Sequence, residues 1–284
     1  MSKLNYISLL ISLLLSEFGQ AQWFQKVDRK HEMFAGWGWN RASYSDSDIH
    51  FQGADYNFTL QNVQAKDRQT EFSAETYFGL KTMTIPQTNM RAGFFITPNL
   101  AITGGVDHMK YVMVQNQEVT IDGHIGDDTY QNMIDNNRIV LKDNFLTYEH
   151  TDGLNYINTE LEYYQGIYHS KHLQFNAIGG AGFGAMLPKS NVKLMTYPRN
   201  DQFHLAGFGL SAKFAFEVLF WNHFFVRMEY KTGYINMPDV VTRAASAEDR
   251  ASQQFFFAQR NGIFGFNFSL NKKPTEIKTT ETNS

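Results

Sequence analysis

The chain has 284 residues, 43% hydrophobic and 15% aromatic, with no cysteine and a mean hydropathy of −0.38. Its 25 Phe, 14 Tyr and 4 Trp carry too much large apolar surface for a disordered chain, and without cysteine neither a disulfide scaffold nor a thiolate metal site can form. A net charge of −3 offers nucleic acid no basic field, and only the N-terminus approaches the apolar run that a helical membrane span needs.

That run, Leu9 to Leu15, follows Lys3 and precedes Gly19-Gln20-Ala21. It is too short to cross a bilayer and has the layout of a secretory signal peptide, so residues 1–21 are expected to be cleaved and the rest exported. Residues 22–31 then form a short segment ahead of the first strand.

Beyond it, strict two-residue alternation recurs, the period of a strand with unlike faces. Eight stretches show it. Met33 to Asn40 sets Ala35, Trp37 and Trp39 against Gly36 and Gly38, and Asn89 to Ile96 sets Met90, Ala92, Phe94 and Ile96 against Arg91 and Gly93. Ile102 to Val112 carries Gly105, Asp107 and Met109 opposite Val106. The fourth sets Ile157, Leu161, Tyr163 and Ile167 against Asn158, Glu160, Glu162 and Gly166. The fifth, from Leu173 to Gly184, alternates Phe and Ala with Gly180, Gly182 and Gly184. The sixth sets Leu210, Phe214, Phe216 and Val218 against Gly209, Ser211, Lys213 and Glu217, and the seventh sets Val226, Met228, Tyr230 and Tyr234 against Arg227, Glu229, Lys231 and Gly233. The last sets Phe264, Phe266, Phe268 and Leu270 against Gly265, Asn267 and Ser269.

The connections alternate in length. Thr97-Pro98-Asn99, His169-Ser170-Lys171 and Trp221-Asn222-His223 are tight turns. The other connections run to roughly 45, 40, 20 and 20 residues, where ordinary loops average about 5. Loops segregated in this way, with both termini on the short side, predict an all-β, eight-stranded antiparallel up-and-down transmembrane barrel with short periplasmic turns and long extracellular loops. So narrow a barrel cannot hold four or five large apolar side chains per strand, so the apolar face is placed against lipid and the glycine-and-charge face inward. Trp37, Trp39, Tyr163, Phe224, Tyr230 and Tyr234 are then expected as interfacial girdle residues.

On these features, residues 32–270 resemble the small eight-stranded outer-membrane barrels of the OmpA/OmpX type. The closest correspondence is the aromatic-alternating terminal strand Gly262 to Leu270, which looks like the segment that barrel assembly machinery reads in that class. The chain departs from the pattern in a polar tail, residues 271–284, too short for the peptidoglycan-binding module of full OmpA-like proteins. The resemblance implies an outer-membrane monomer without a cofactor, surrounded by outer-membrane lipid and lipopolysaccharide, with a structural or surface-binding role through its loops.

Nine charges are expected inward: Arg91, Asp107, Glu160, Glu162, Lys213, Glu217, Arg227, Glu229 and Lys231, five acids against four bases. They suit a salt-bridge network better than an ion path, because buried charges must be paired and eight strands leave no open channel. General diffusion of solutes is therefore not expected. The alternative role is a lipid A or phospholipid-modifying enzyme with an active site at the rim, where His108 and Lys110, with Glu149 and His150, are the candidates for acid–base chemistry. Neither histidine has the serine two residues away that a deacylase-type arrangement requires. The acidic clusters Asp46-Ser47-Asp48 and Asp122 to Asp128 do not match a calcium loop and are read as solvated turns. Alternation at Ile49-His50-Phe51 and Tyr56 to Leu60 predicts a β-extension of the first loop, and Tyr130 to Ile134 a short helix in the second.

Overall fold

The computed structural model describes residues 22–24, 28–79, 81–82, 85–244 and 246–269. The signal-peptide segment, Leu270 and the C-terminal tail lie outside the described residues. Eight antiparallel strands close a ring: β1 (Glu32–Tyr44), β2 (Thr88–Phe95), β3 (Leu100–Met113), β4 (Leu146–His169), β5 (Leu173–Met186), β6 (Gly207–Phe220), β7 (Phe224–Val241) and β8 (Arg250–Ser269). Each pairs with the next in sequence, and β8 pairs back onto β1 from Phe257↔Tyr44 to Ser269↔Glu32. Closure leaves the ring without an unpaired edge. The turn after β6 shows how tightly one end is drawn: Trp221 and Asn222 take φ of 51° and 61°, the left-handed pair a two-residue I′ turn needs.

The faces divide as alternation predicts. Phe183, Met228, Phe216, Phe264 and Phe266 project outward and are exposed, whereas Glu160, Lys213, Arg227 and Lys231 are buried inside. So broad an exposed apolar belt is foreign to a monomer surrounded by water. The interior glycines make room for large neighbours. A Cβ at Gly265 or Gly36 would press on the Phe225 ring, one at Gly93 on Phe34, and one at Gly182 on the Glu160 side chain.

The strands run further than the alternating stretches suggested. β4 begins at Leu146, β7 continues to Val241 and β8 starts at Arg250, so the connection between β7 and β8 is 242–249 rather than some twenty residues. The physical reason is an inversion of the dyad pattern. On β3 the inward residues change from Thr103, Gly105 and Asp107 to Met109, Tyr111 and Met113, while His108 and Lys110 take the outward positions. On β7 they change from Arg227, Glu229 and Lys231 to Ile235 and Met237, and toward the start of β8 from Asn261 and Gln259 to Phe257 and Phe255. At this end the barrel therefore turns apolar inside and polar outside.

The long connections complete this inverted section. The expected first-loop extension is present, Ser47–Gln52 pairing with Tyr56–Val63, and the hairpin is tied to β8 through Arg250↔Gln52 and Gln253↔Ile49. Glu118–Ile125 adds to the hairpin and Arg138–Val140 to that, while Lys189–Leu194 pairs with the top of β4 and Asn200–Phe203 pairs with it in turn. Phe51, Phe58, Leu60, Tyr111, Ile121, Tyr148 and Phe255 belong to one buried cluster beneath these strands. The loops are thus a folded cap. The helix of the second loop covers Asp128–Gln131, earlier than expected because the Asp127 side chain accepts the Thr129 N–H and fixes its start. A further helix, Ala74–Phe78, is capped by Ser73. The acidic clusters have solvent-exposed aspartates and are only partly turns: Asp46 lies in the connection after β1 and Asp127 in the bend that starts the short helix, whereas Asp48 lies in Ser47–Gln52 and Asp122 pairs with Thr59. Trp37 and Trp39 lie side by side on the outward face of β1, their ring centroids 4.6 Å apart.

Candidate functional site

The inward strand positions bring the nine charges together between the cap core and a smaller apolar cluster at the turn end that includes Phe34, Phe95, Tyr164 and Phe225. Glu160 is the hub: its carboxylate accepts from Arg91 Nη1 at 3.0 Å, Lys213 Nζ at 2.6 Å and Lys231 Nζ at 2.7 Å. Asp107 holds Arg91 at 3.0 Å and Lys231 at 2.5 Å, and Glu229 takes Arg91 at 3.0 Å and Lys213 at 3.3 Å. Toward the turn end Glu162 pairs with Lys213 and Arg227, and Arg227 donates to Glu217 at 2.7 Å and to the Tyr164 hydroxyl at 2.6 Å.

Each of the nine therefore has a partner of opposite charge, which is what a low-dielectric interior demands of ions. The sequence left one acid over. Arg29, from the segment ahead of β1, adds a fifth base, which it shares between an acid of the network and one at its margin: its Nη1 lies 3.3 Å from Glu217, its Nε 3.1 Å from the less buried Glu32, and its guanidinium 4.1 Å above the Phe95 ring. Arg29 was missed because it belongs to no alternating stretch. The odd number of lumen charges was the only signal of it.

The four rim candidates do not meet. His108 and Lys110 occupy successive outward positions on β3, where His108 Nδ1 is 2.8 Å from Asn155 Oδ1 and Lys110 Nζ donates to Thr70 at 3.0 Å. Glu149 faces outward with them, held by Asn191 at 3.0 Å, Arg68 at 3.4 Å and Arg199 at 4.0 Å. His150 points the other way. It is fully buried in the cap core, its ring 5.0 Å from Tyr148 and 5.6 Å from Tyr111, and neither ring nitrogen has a partner among the described residues. Burial lowers its pKa to about 3, so the imidazole is neutral. A base sealed inside the wall cannot act with groups on its outer surface.

No protein-family model and no curated protein sequence matches the chain. Among solved structures it is similar to the outer membrane protein OprG from Pseudomonas aeruginosa, at 9% identity and a TM-score of 0.38, covering 86% of this chain and 98% of that one. It is also similar to the outer membrane protease OmpT from Escherichia coli, at 7% identity and 0.33 (84% and 97% covered), and to the attachment invasion locus protein Ail of Yersinia pestis, at 8% and 0.29 (84% and 99%). The architecture rests on this chain's own hydrogen-bonded ring, an eight-stranded antiparallel β-barrel.

Proposed function

We propose that the chain is an exported outer-membrane barrel that serves envelope structure or surface binding through its cap and does not conduct solutes. The observation that carries the reading is the filled interior: an apolar cluster, an ion-paired network and the cap core follow one another along the axis. The exposed apolar wall supports insertion, since in lipid a closed ring satisfies every backbone group. The cap supports the binding role, because ordered connections on a rigid scaffold are where recognition residues gather. In this setting its partners are outer-membrane lipid, lipopolysaccharide, the assembly machinery during biogenesis and a ligand at the cap surface, with the chain as a monomer.

The test is fractionation together with planar-bilayer recording. The protein is expected in the detergent-extracted envelope, with gel mobility that shifts on boiling and no stepwise conductance. Release in soluble form by osmotic shock would overturn the location, and a steady open-channel current would overturn the sealed interior.

A further inference from the structure

Two arginines face each other across the seam that closes the ring. Arg41 on β1 and Arg260 on β8 are directly paired, and the alternation puts both on the outward face, four residues above the Trp37↔Phe264 pair. Like charges opposed across an antiparallel pair repel. This chain neutralises the charges in its lumen with paired carboxylates, yet among the described residues neither of these arginines is in an ion pair: Arg41 Nη1 donates to the side-chain oxygen of Gln87, at 3.5 Å, and Arg260 makes no ion pair or hydrogen bond. Asp67, the acid near Arg41, accepts from the Ala42 amide at 3.2 Å and from the Gln87 side chain, and its carboxylate offsets part of the Arg41 charge without forming an ion pair.

Below the pair and the Trp39↔Gly262 row, where Tyr77 and Phe78 pack on Trp39, the outer wall from β8 to β3 carries an open groove. A cavity of 580 Å³ is floored by Ala35, Ala92 and Gly104 and walled by Trp37, Phe264 and Phe266, a size typical of ligand pockets, which run from about 300 to 1,000 Å³. A Cβ on Gly104 would meet nothing within 4 Å. Four residues of strand separate the arginines from the Trp37 row, a span of about 13 Å, so an acyl chain in the cavity would carry its polar end to the height of the two guanidiniums.

We propose that this face holds one acylated lipid bearing a phosphate monoester, of the lipid A class. Its phosphate bridges Arg41 and Arg260, and one acyl chain lies in the cavity. Charge complementarity favours the monoester: two guanidiniums without an ion-pair partner among the described residues, only partly offset by Asp67 near Arg41, attract a group carrying about −1.5 to −2 charges more strongly than a phospholipid diester, which brings only one. Arg is also the side chain suited to two-point phosphate binding. The inference rests on the membrane reading above.

Native mass spectrometry of the full protein, released from detergent after equilibration with lipid, tests it. The probes are bis-phosphorylated lipid A, the same lipid dephosphorylated, phosphatidylglycerol and inorganic phosphate. At least tenfold stronger retention of phosphorylated lipid A than of the other three is expected. It should be lost in Arg41→Gln/Arg260→Gln and reduced severalfold in Gly104→Leu, which fills the cavity. Boiling-dependent gel mobility and flotation with phosphatidylethanolamine vesicles report folding and insertion separately for each variant. Equal retention of the dephosphorylated lipid, or undiminished binding by a folded double variant, overturns the site while leaving the membrane reading intact. A wild-type protein that fails to float overturns both.

Discussion

At the level of single residues, the cost of a change depends on which compartment holds the side chain. Glu160→Gln removes the carboxylate shared by Arg91, Lys213 and Lys231 and leaves buried cations short of a partner, a loss of about 3–5 kcal/mol. Asp152→Asn, which breaks the exposed Lys189–Asp152 pair at 2.8 Å, is expected to cost under about 1 kcal/mol. Urea unfolding in detergent, followed by the boiling-dependent mobility shift, should separate the two variants. His150 gives the cap an acid sensitivity. Unfolded, it titrates near its ordinary 6.5; folded, only near 3. Between those values the unfolded chain binds the extra proton, so this residue's contribution is complete above about pH 6.5 and falls by about 1.4 kcal/mol per pH unit below it, reaching about 2 kcal/mol of lost stability at pH 5. Proteolysis of the cap should accelerate from pH 7 to 5 in the native protein and much less in His150→Phe; identical pH profiles would remove the histidine from the account.

At the level of strands and connections, backbone proximity sets what each position tolerates. A Cβ at Gly38 would run into the Gly262 carbonyl on the facing strand of the closing seam, whereas one at Gly104 enters open space. Gly38→Ala should therefore abolish the boiling-dependent shift and Gly104→Ala should leave it unchanged. In the cap, Phe58→Ala empties a site packed against Phe51 and Phe145, at ring distances of 5.2 and 6.0 Å, and should cost about 3–5 kcal/mol. Protease should then cut residues 47–63 while the barrel keeps its mobility shift. The same compartments explain what could be read from sequence. The lower strands were readable because one large apolar face opposes glycine and charge throughout, as in Leu210 to Val218. The upper strands were hidden where that polarity inverts: Phe255-Phe256-Phe257 reads as a block because two of its rings enter the cap core and the third faces outward. On β4, the register shift between His150 and Leu154, with Gly153 at φ 133°, interrupts the period as well. The lumen charges followed directly from alternation. The Arg41–Arg260 pair did not, because cross-strand neighbours more than two hundred residues apart need the register of the ladder.

For the whole molecule, two cores in series have different solvents outside them. The lower one holds charge inside and faces lipid in the proposed setting; the upper one holds aromatic and aliphatic side chains inside and faces water. Salt screens exposed charges over about 8 Å at physiological ionic strength, but the lumen network is closed off at both ends, so raising salt should leave barrel stability nearly constant. A marked fall between 0.1 and 1 M salt would show that water reaches the network.

The cap also bears on how such a chain is installed. In the proposed setting, Ile49, Phe51, Phe58, Leu60 and Ile121 would cross the bilayer before they have anything to pack against, and only on the far side would they collapse into the buried cluster they share. Retraction would then require that core to be dismantled first. In that setting folding of the cap would act as a ratchet on insertion, and a chain with a weakened cap should be recovered from stalled assembly in greater amount than one with a weakened outer wall.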